Sequence, residues 1–497
     1  MSRPLRVLYY NWVDYLDAEG RGGGVTLYQR NVMNALAGDA SVEATFVSAG
    51  LSYDVPARAP RWEPVRHGPR ADRDRRYEIV NSGVLAHSHL SFGDPAQVSH
   101  PATRDVFFDF VARTGPYDVI HFNNLEGLPA DVLSVKQRHP ETKIVFALHN
   151  YYPICPQVNL WYAERETCED FEGGARCVGC LTHQHDARVM RIANGVSYRL
   201  RCAGLEPGTR TYDGAFRAII WSGGRLLRAK RWLGGQRRDV AKPPVLSAEQ
   251  ARASAASFAA RRREMIALIN ENCDHVLCVS DAVRVLAENY GIAPLLTTTS
   301  YIGTQAAEMF AQTQPDDTAL GKPTLTLGYL GYMRRDKGFY FLLDALEALP
   351  PQIATRLRIV IAARTVDRAT LARVMRLGDH LAEVVHHDGY THNDLDTILA
   401  PVDVGVVPVL WHDNLPQVAI EMHARHIPLL TSDMGGAQEL GGDTQMIFTA
   451  GDPADFERAI ARLLQGDVDT ASYWHGAMPP VTMPAHVDQL LDLYRSD

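Results

Sequence analysis

The chain has 497 residues, of which 46% are hydrophobic and 22% charged, and its net charge is -8. This length exceeds one usual domain, and the composition is typical of a soluble globular protein. Because the 58 acidic residues outnumber the 50 basic ones, the charge balance argues against a nucleic-acid-binding protein.

The first residues, MSRPLRVLYYNW, lead directly into a strand-like run without a small-residue cleavage site, so we expect no secretory signal. No run of about 18 apolar residues occurs, which predicts that no helix spans a membrane. We therefore expect a cytoplasmic protein, in which the seven cysteines are thiols or metal ligands rather than disulfides.

The first half of the chain alternates between apolar runs and helical patterns. A strand at residues 6–12 precedes the glycines Gly22–Gly24 and a helical pattern over 25–36, the order that opens a nucleotide-type α/β domain. Residues 56–76 are rich in proline and arginine and are predicted to form a surface loop. The other predicted elements here are strands at residues 42–48, 118–122, 143–148 and 275–280 and a helix from Asp281.

The same alternation restarts after the turn-forming residues 321–323, which mark a domain boundary. The predicted strands lie at residues 325–330, 357–362, 382–386, 402–409, 428–431 and 446–449, and the predicted helices include 339–349 and 455–464. This pattern indicates a second doubly wound domain. Two such domains leave a cleft between the carboxyl ends of their strands, where ligands of open α/β sheets bind.

A pair of carboxylates stands at a loop-to-helix junction in the second domain. Asp413 and Glu421 are eight positions apart, and Pro416 suits the first turn of a helix. The amides near Asn414 and Leu415 would then be unpaired donors at the positive end of a helix dipole, which attracts phosphate or sugar hydroxyls. A glutamate inside that helix can accept two hydrogen bonds from a ribose diol. The alternative is an ordinary amphipathic helix with a solvated glutamate.

Three other features belong to the edges of the predicted cleft. Lys337 precedes a glycine in a loop and can supply a point charge to a diphosphate, although RRDK also reads as a solvated basic loop. Gly23 and Gly24 let the backbone approach a ligand closely, or form only a tight turn. His149 and His121 each end a predicted strand, where a histidine is more often structural than functional.

A cysteine-rich segment follows the strand that ends at His149. Its four thiols form the pattern C-x12-C-x8-C-x2-C, and two further histidines are spare candidates, His183 and His185. Four thiolates with a terminal C-x2-C can hold one structural zinc, while the alternative is free cytosolic thiols. The candidate zinc ligands are Cys155, Cys168, Cys177 and Cys180.

Residues 188–238 form a basic stretch in an otherwise acidic chain. The stretch contains many arginines and lysines but only two acidic residues, Glu206 and Asp213. Trp221 and Trp232 are interleaved among the basic residues. This pattern predicts contact with an anionic membrane surface. A substrate that is linked to a lipid diphosphate would suit such a surface. A solvated insertion is the alternative, and nucleic acid is a distant third.

Taken in chain order, these motifs resemble the retaining GT-B glycosyltransferases of family 4. The second half carries GYLGYMRRDKGF at 328–339, the acidic pair at a spacing of eight, and GGAQEL at 435–440. The first half adds four more: GGGVTLY at 22–28, FALHNYYPICP at 146–156, VSDAV at 279–283 and YIGT at 301–304. Each motif is weak alone, but their order is specific, and the resemblance covers the chain except roughly 185–265.

The resemblance implies roles for several of these residues. Lys337, with an arginine beside it, would stabilise the departing nucleoside diphosphate in place of a metal ion. His149 would lie close to the transferred sugar, Asp413 would bind the donor sugar, and Glu421 would hold the ribose. Neither carboxylate is then a glycosidase-type nucleophile or acid. We expect catalysis without a cofactor.

Two positions depart from the family pattern. Asp413 stands where the family usually has glutamate, one methylene longer, although DNLP resembles a family variant with Glu-Asn-x-Pro. Tyr332 stands where an arginine often follows the glycine of the loop. Arg334 or Arg335 is therefore expected to supply the phosphate contact.

The resemblance implies an α/β protein of the GT-B fold. We expect a Rossmann-like acceptor-side domain at 1–320 with an insertion at about 155–265, a nucleotide-sugar-binding domain at 321–475, and a helix at 476–497 that packs back on the first domain. The expected activity is retaining hexosyl transfer from a UDP- or GDP-sugar to a glycan or lipid-linked acceptor, in surface polysaccharide or glycoconjugate synthesis, in the cytoplasm at the inner face of the membrane. The alternatives are a sugar-nucleotide epimerase or hydrolase and a non-catalytic GT-B scaffold.

Overall fold

The structure, a computed structural model, describes residues 3–181, 186–233, 247–316, 318 and 320–496. The spare zinc candidates His183 and His185 and the basic residues Arg237 and Arg238 lie outside the described residues. Within them the chain folds into two twisted sheets, each covered by helices.

The first sheet has eight strands in the order β10-β9-β6-β5-β1-β2-β4-β3, and a separate hairpin, β7-β8, lies in the cysteine-rich segment. All neighbours in this sheet pair in parallel except β3, which runs antiparallel to β4 at the edge. The strands are β1 Leu5–Tyr10, β2 Val42–Ser52, β3 Arg61–Pro64, β4 Arg76–Val80, β5 Val119–Phe122, β6 Lys143–Leu148, β7 Trp161–Tyr162, β8 Glu166–Thr167, β9 His275–Cys278 and β10 Thr297–Thr299.

The second sheet has six parallel strands in the order β13-β12-β11-β14-β15-β16. These are β11 Leu325–Tyr332, β12 Leu357–Arg364, β13 Glu383–His387, β14 Val404–Val407, β15 Leu429–Ser432 and β16 Ile447–Phe448. The central strands are continuous apolar runs because helices bury both faces of a parallel sheet. In both sheets the strand order reverses beside the first strand of the domain, which is where a ligand cleft opens.

Helices connect the strands. In the first half they are α1 Gly23–Leu36, α2 Arg70–Arg73, α3 Pro101–Thr114, α4 Val135–Arg138, α5 Ala175–Val178, α6 Ala187–Cys202, α7 Arg210–Leu233, α8 Ala248–Asn272 and α9 Asp281–Asn289. In the second half they are α10 Phe339–Ala348, α11 Pro351–Ala354, α12 Arg368–Arg376, α13 Leu395–Leu399, α14 Gln417–His423, α15 Pro453–Gln465, α16 Thr470–Gly476 and α17 Met483–Arg495.

The prediction of a surface loop at residues 56–76 is wrong. Two short elements, β3 and α2, occupy this segment, and β4 begins at its last residue, Arg76, which is 1% exposed. The proline at the end of β3 is tolerated because an edge strand needs fewer backbone donors. The buried arginine is stabilised by the Asp14 carboxylate, 2.7 Å from its guanidinium, and by the His67 carbonyl at 3.0 Å.

The C-terminal helix α17 packs against the first sheet. The Tyr494 hydroxyl lies 3.2 Å from the Tyr9 hydroxyl and 2.5 Å from Nδ1 of His121. The His486 Nε2 lies 2.8 Å from the Tyr28 hydroxyl. These buried polar contacts hold α17 against β1, β5 and α1. The C-terminal residues of the chain therefore pack on the N-terminal domain.

Direct hydrogen bonds join the two sheets on the α9 side. The Glu439 carboxylate accepts from the backbone N–H groups of Asp281 and Ala282 at 2.9 and 2.7 Å, and the Ser280 hydroxyl donates to the Asn414 carbonyl at 2.7 Å. A carboxylate is stabilised at a helix N-terminus, where the first amides are unpaired. Glu439 therefore connects the glycine turn after β15 to the first domain.

Within the described residues, no helix is long and apolar enough to cross a membrane.

Candidate functional site

A cleft of about 700 Å³ separates the carboxyl ends of the two sheets. Both halves of the chain line it: the start of α1, the end of β6, the ends of β11 and β14, and the loop that leads into α14. The predicted site residues that reach this cleft are Gly23, Gly24, His149, Lys337, Asp413, Asn414, Leu415 and Glu421. Residues far apart in sequence thus line one cavity.

An ion pair lies in the middle of the cleft. Lys337 Nζ is 2.5 Å from Asp413 Oδ2, and the ammonium lies 5.0 Å from the ring centroid of Trp411. The lysine is placed by the next residue, Gly338, whose φ is +71° and whose added Cβ would lie 1.6 Å from the Pro408 carbonyl oxygen. Only glycine fits this turn. Lys337 is therefore held beside a carboxylate, that of Asp413, which is 6% exposed.

The glycine pair after β15 holds the Asp413 loop in place. Gly435 has φ +73°, and an added Cβ would lie 2.0 Å from the Asp413 carbonyl oxygen. The Gly436 N–H donates to the same oxygen at 2.9 Å. The motif GGAQEL thus packs backbone against backbone, which positions the Asp413 side chain.

The loop entering α14 faces the first domain. Asn414 and Leu415 are both buried, and the Asn414 side-chain amide donates to the Leu148 carbonyl at 3.4 Å. Gln417, the first residue of α14, donates to the Gly24 carbonyl at 3.2 Å. Pro416 is the residue before the helix rather than within its first turn. This loop therefore joins the two walls of the cleft at the glycines of α1.

Glu421 has one carboxylate oxygen free of any partner among the described residues. This oxygen, Oε2, is buried, while Oε1 lies 3.2 Å from His392 Nδ1. The hydrogen bond to Glu421 raises the pKa of His392, whose side chain is 61% exposed. A buried oxygen without a donor is costly, so Oε2 is available to a hydrogen-bond donor that enters the cleft.

His149 lies at the cleft wall as a neutral imidazole. Burial lowers its pKa to about 3, and its ring packs at a tilt of 50° against Tyr28, with 4.8 Å between centroids. Its Nε2 lies 3.2 Å from the Asn123 side-chain oxygen. The other strand-end candidate, His121, is fully buried against α17 and does not line the cleft. Between the two histidines, only His149 can touch a ligand there.

Gly23 and Gly24 belong to α1 rather than to a preceding loop. The helix begins at Gly23, which has φ +56°, and an added Cβ on Gly24 would lie 3.4 Å from the Gln417 side chain. The absence of side chains lets α14 approach, and it leaves the backbone of this first turn open to the cleft.

The structure does not bring Arg334 and Arg335 to the cleft. Arg334 donates twice to the buried Asp336 carboxylate, at 3.0 and 2.8 Å, and the Arg335 guanidinium lies 5.5 Å from the Tyr340 ring centroid. The arginine that lines the cleft is Arg364, at the end of β12. Sequence reasoning missed it, although a basic residue directly after IVIAA was a usable signal.

The four cysteines are buried thiols. Burial, with the neighbouring cysteines, raises the pKa of Cys177 to about 12; burial raises that of Cys180 to about 11. Cys168 Sγ donates to the Asp170 carbonyl at 3.7 Å and Cys180 Sγ to the Trp161 carbonyl at 4.0 Å. Among the described residues, no three His, Cys, Asp or Glu side chains are arranged to hold a metal ion, so the zinc site at Cys155, Cys168, Cys177 and Cys180 is unsupported.

Residues 324–466 match the family model described as "Glycosyl transferases group 1". No curated protein matches the chain. Among solved structures, it is similar to the sucrose-phosphate synthase of Thermosynechococcus elongatus, with a TM-score of 0.53 and 16% identity over 99% of this chain and 98% of that one.

Two further structures are similar over nearly their whole lengths. Anabaena HepE, in complex with UDP and glucose, has a TM-score of 0.52 and 13% identity over 99% of this chain and 100% of that one. An α,α-trehalose-phosphate synthase (UDP-forming) from Burkholderia vietnamiensis has a TM-score of 0.51 and 14% identity over 99% and 97%. The expected α/β fold of two Rossmann-like domains is confirmed, and the match to the glycosyl transferases group 1 model falls within the second of them.

Proposed function

We propose that this protein is a retaining glycosyltransferase that moves a hexose-like unit from a UDP- or GDP-sugar to a glycan or lipid-linked acceptor, in surface polysaccharide or glycoconjugate synthesis. The observation that carries the proposal is the unpartnered Glu421 oxygen in the same cleft as the Lys337–Asp413 ion pair. A carboxylate for a ribose diol and a cation for a diphosphate are the two groups that a nucleotide-sugar requires.

The proposed chemistry needs only groups of the chain and the two substrates. Lys337 leaves Asp413 and binds the diphosphate, and Asp413 then accepts hydrogen bonds from the donor sugar. The bond between the anomeric carbon and the diphosphate oxygen breaks, and the acceptor oxygen bonds to the same face of the sugar. The acceptor proton passes to the departing oxygen. Stabilising the charge on the diphosphate supplies most of the rate.

Neutral His149 suits the transferred sugar better than a charged residue would. With its pKa lowered to about 3, the ring donates or accepts a hydrogen bond without placing a charge in the cleft. A fixed positive charge there would repel the oxocarbenium-like carbon that develops as the diphosphate departs. We assign His149 to a hydroxyl of the donor sugar.

A UDP-sugar is the first donor to test. Anabaena HepE is a similar fold in complex with UDP and glucose, and the Burkholderia protein is named as UDP-forming. Arg364 lines the same end of the cleft as Tyr390 and His392, beside the ribose position assigned to Glu421. We assign this end of the cleft to the base.

The proposed membrane contact uses α6 and α7 of the 188–238 stretch. Each exposes apolar side chains: Val189 and Ile192 on α6, and Ile219, Ile220 and Trp221 on α7. The Arg225 guanidinium lies 3.9 Å from the Trp221 ring, so cationic and apolar groups share one surface. Such a surface binds anionic lipid through both charge and apolar burial. It would place the cleft at the cytoplasmic face of a membrane, where lipid-linked acceptors are found.

Vesicle sedimentation tests the membrane contact. Trp221→Ser should weaken binding to vesicles with anionic phosphatidylglycerol, and neutral phosphatidylcholine vesicles should bind neither protein. Leu295→Ser is the matched control, since Leu295 is 99% exposed on another surface. Equal binding of Trp221→Ser and the wild type would remove the membrane contact from the proposal.

Turnover of UDP- and GDP-sugars, with and without oligosaccharide and lipid-linked acceptors, tests the activity. Lys337→Ala should lower nucleotide release by about 10²–10³-fold, the usual cost of removing one group that stabilises transition-state charge. Arg335→Ala is the control, because its side chain does not line the cleft. Nucleotide release that Lys337→Ala leaves unchanged contradicts the proposal. Rapid release without acceptor favours a hydrolase, and conversion of the donor to its epimer without release favours an epimerase.

A further inference from the structure

A second, charged cavity lies in the first domain, beside the glycines of α1. It has a volume of about 200 Å³ and lies against one face of β2 and β4, under the end of α6. Arg76 and Glu78 stand two residues apart in β4, so both point to this face. They are 1% and 6% exposed. The insertion supplies the opposite wall through Arg201 and Glu206.

The cavity is continuous with the donor cleft. A groove of about 600 Å³ shares Asp17, Ala18 and Pro69 with the cavity, and it shares Gly20 and Gly23 with the cleft. A ligand that reaches the cleft past the start of α1 can therefore extend into the cavity without leaving the surface of the first domain. The cavity belongs to the first domain, whereas the groups assigned to the ribose and the diphosphate, Glu421 and Lys337, belong to the second. We therefore place the cavity on the acceptor side of this path.

Three of the four carboxylates of the cavity pair with a guanidinium, and the fourth, Glu206, accepts from the Gly68 N–H at 3.2 Å. Each guanidinium has a carboxylate partner: Arg21 with Asp17 at 2.5 Å, Arg76 with Asp14 at 2.7 Å, and Arg201 with Glu78 at 3.2 Å. Burial lowers the pKa of His67, so this side chain adds no positive charge at neutral pH. The described walls thus hold no surplus cation for a phosphate or carboxylate ligand.

Paired ions still offer hydrogen bonds. A carboxylate has about four acceptor sites and a guanidinium five donors, more than one partner uses. Arg201 Nε is buried and has no partner among the described residues. Trp12 adds an aromatic wall. Alternating donors and acceptors around an aromatic ring suit adjacent sugar hydroxyls, which donate and accept at once.

We propose that this cavity is an acceptor subsite that holds a neutral, hydroxyl-rich sugar residue of an oligosaccharide acceptor. The inference rests on the proposed function and names the class of acceptor that the first domain takes. The sugar in the cavity is not the reacting one, since the groove along Gly20 and Gly23 separates it from the donor site. The insertion helix α6 then selects the acceptor by closing the cavity with Arg201.

A glycan array probes this class directly. The full chain, with UDP present, is applied to neutral, amino-substituted, carboxylated and phosphorylated oligosaccharides. Binding should favour the neutral ones, and inorganic phosphate should not compete. Ala18→Trp fills the passage at an exposed position and should weaken this binding about tenfold or more, the cost of losing one or two hydrogen bonds.

Two further variants sharpen the array experiment. Ala37→Trp adds the same bulk at the end of α1, outside the cavity and groove, and should bind like the wild type. The double variant Arg201→Met/Glu78→Gln removes both charges of one pair, so no lone buried ion remains to unfold the domain. It should also lose the neutral glycans, while UDP affinity stays within twofold in every variant.

The subsite is overturned by any of five results: preference for amino-substituted glycans, binding of anionic glycans alone, competition by inorganic phosphate, unchanged binding by Ala18→Trp, or no glycan binding by the wild type. None of these tests the donor site. A wild-type rate of nucleotide release in Lys337→Ala would instead refute the proposed transferase, whatever the array shows.

Discussion

Glu421→Ala should weaken nucleotide binding, while removal of its partner, His392→Ala, should not. Among the residues that the structure describes, one Glu421 oxygen has no partner and the other lies 3.2 Å from His392 Nδ1. A ribose diol would donate to both oxygens, and each hydrogen bond to a buried charged group contributes about 1.5–3 kcal/mol. Releasing the exposed His392 costs less than about 1 kcal/mol. The net loss in Glu421→Ala is then about 3 kcal/mol, or about two orders of magnitude in Kd.

Isothermal calorimetry with UDP and GDP measures this difference. His392→Ala frees the second oxygen beforehand and should tighten binding by no more than about fivefold, the value of an exposed ion pair. Glu383→Ala, on the exposed end of β13 outside the cleft, is the matched control. If Glu421→Ala binds UDP with a Kd within about threefold of the wild-type value, the ribose assignment is refuted, because the loss of two buried hydrogen bonds would weaken binding more than that.

Three further perturbations test the site from other directions. Gly338→Ala should destabilise the second domain by more than about 2 kcal/mol in urea unfolding, because φ is +71° and the added Cβ meets the Pro408 carbonyl; a smaller loss would contradict the turn geometry. Lys337→Met should destabilise more than the double variant Lys337→Met/Asp413→Asn, since the single variant leaves a buried carboxylate unpaired; equal melting temperatures would show that the pair is not coupled. The Glu421 carboxylate raises the His392 pKa, so the wild type should gain stability over His392→Asn when His392 is protonated. This difference in unfolding free energy should be greatest below pH 6.5 and fall as the pH rises through the raised pKa. A difference independent of pH would refute the pairing.

Most of the central strands, and helices such as α1, α10 and α15, could be predicted from the sequence because their signals are local. Lys143–Leu148 is a strand with the predicted bounds, and the helix predicted from Phe339 begins there. Apolar runs of four to eight residues between turn signals specify buried strands without any knowledge of their neighbours. The order of the motifs along the chain likewise indicated which loops would meet at a cleft, since parallel strands share one carboxyl edge.

The insertion and the segment before β4 were harder to read. Charge dominates the pattern in α6 and α7, so the helices were not predicted, and arginine in residues 56–76 suggested solvent. Arg76 is nevertheless buried, because Asp14, 62 residues earlier, neutralises it. No window of sequence shows such a partner.

The sequence alone determined the residue types of the cleft and their assignment to two domains: a lysine before a glycine, an acidic pair across a helix start, and a histidine at a strand end. Only the tertiary structure decided which basic residues line the cleft. Arg334 is held by a carboxylate two residues away and Arg364 enters from the end of β12, while one Glu421 oxygen has no partner within the described part of the chain. The physical reason is that local periodicity determines the secondary-structure element that carries a side chain. The orientation of its charged group depends on partners that only folding brings close.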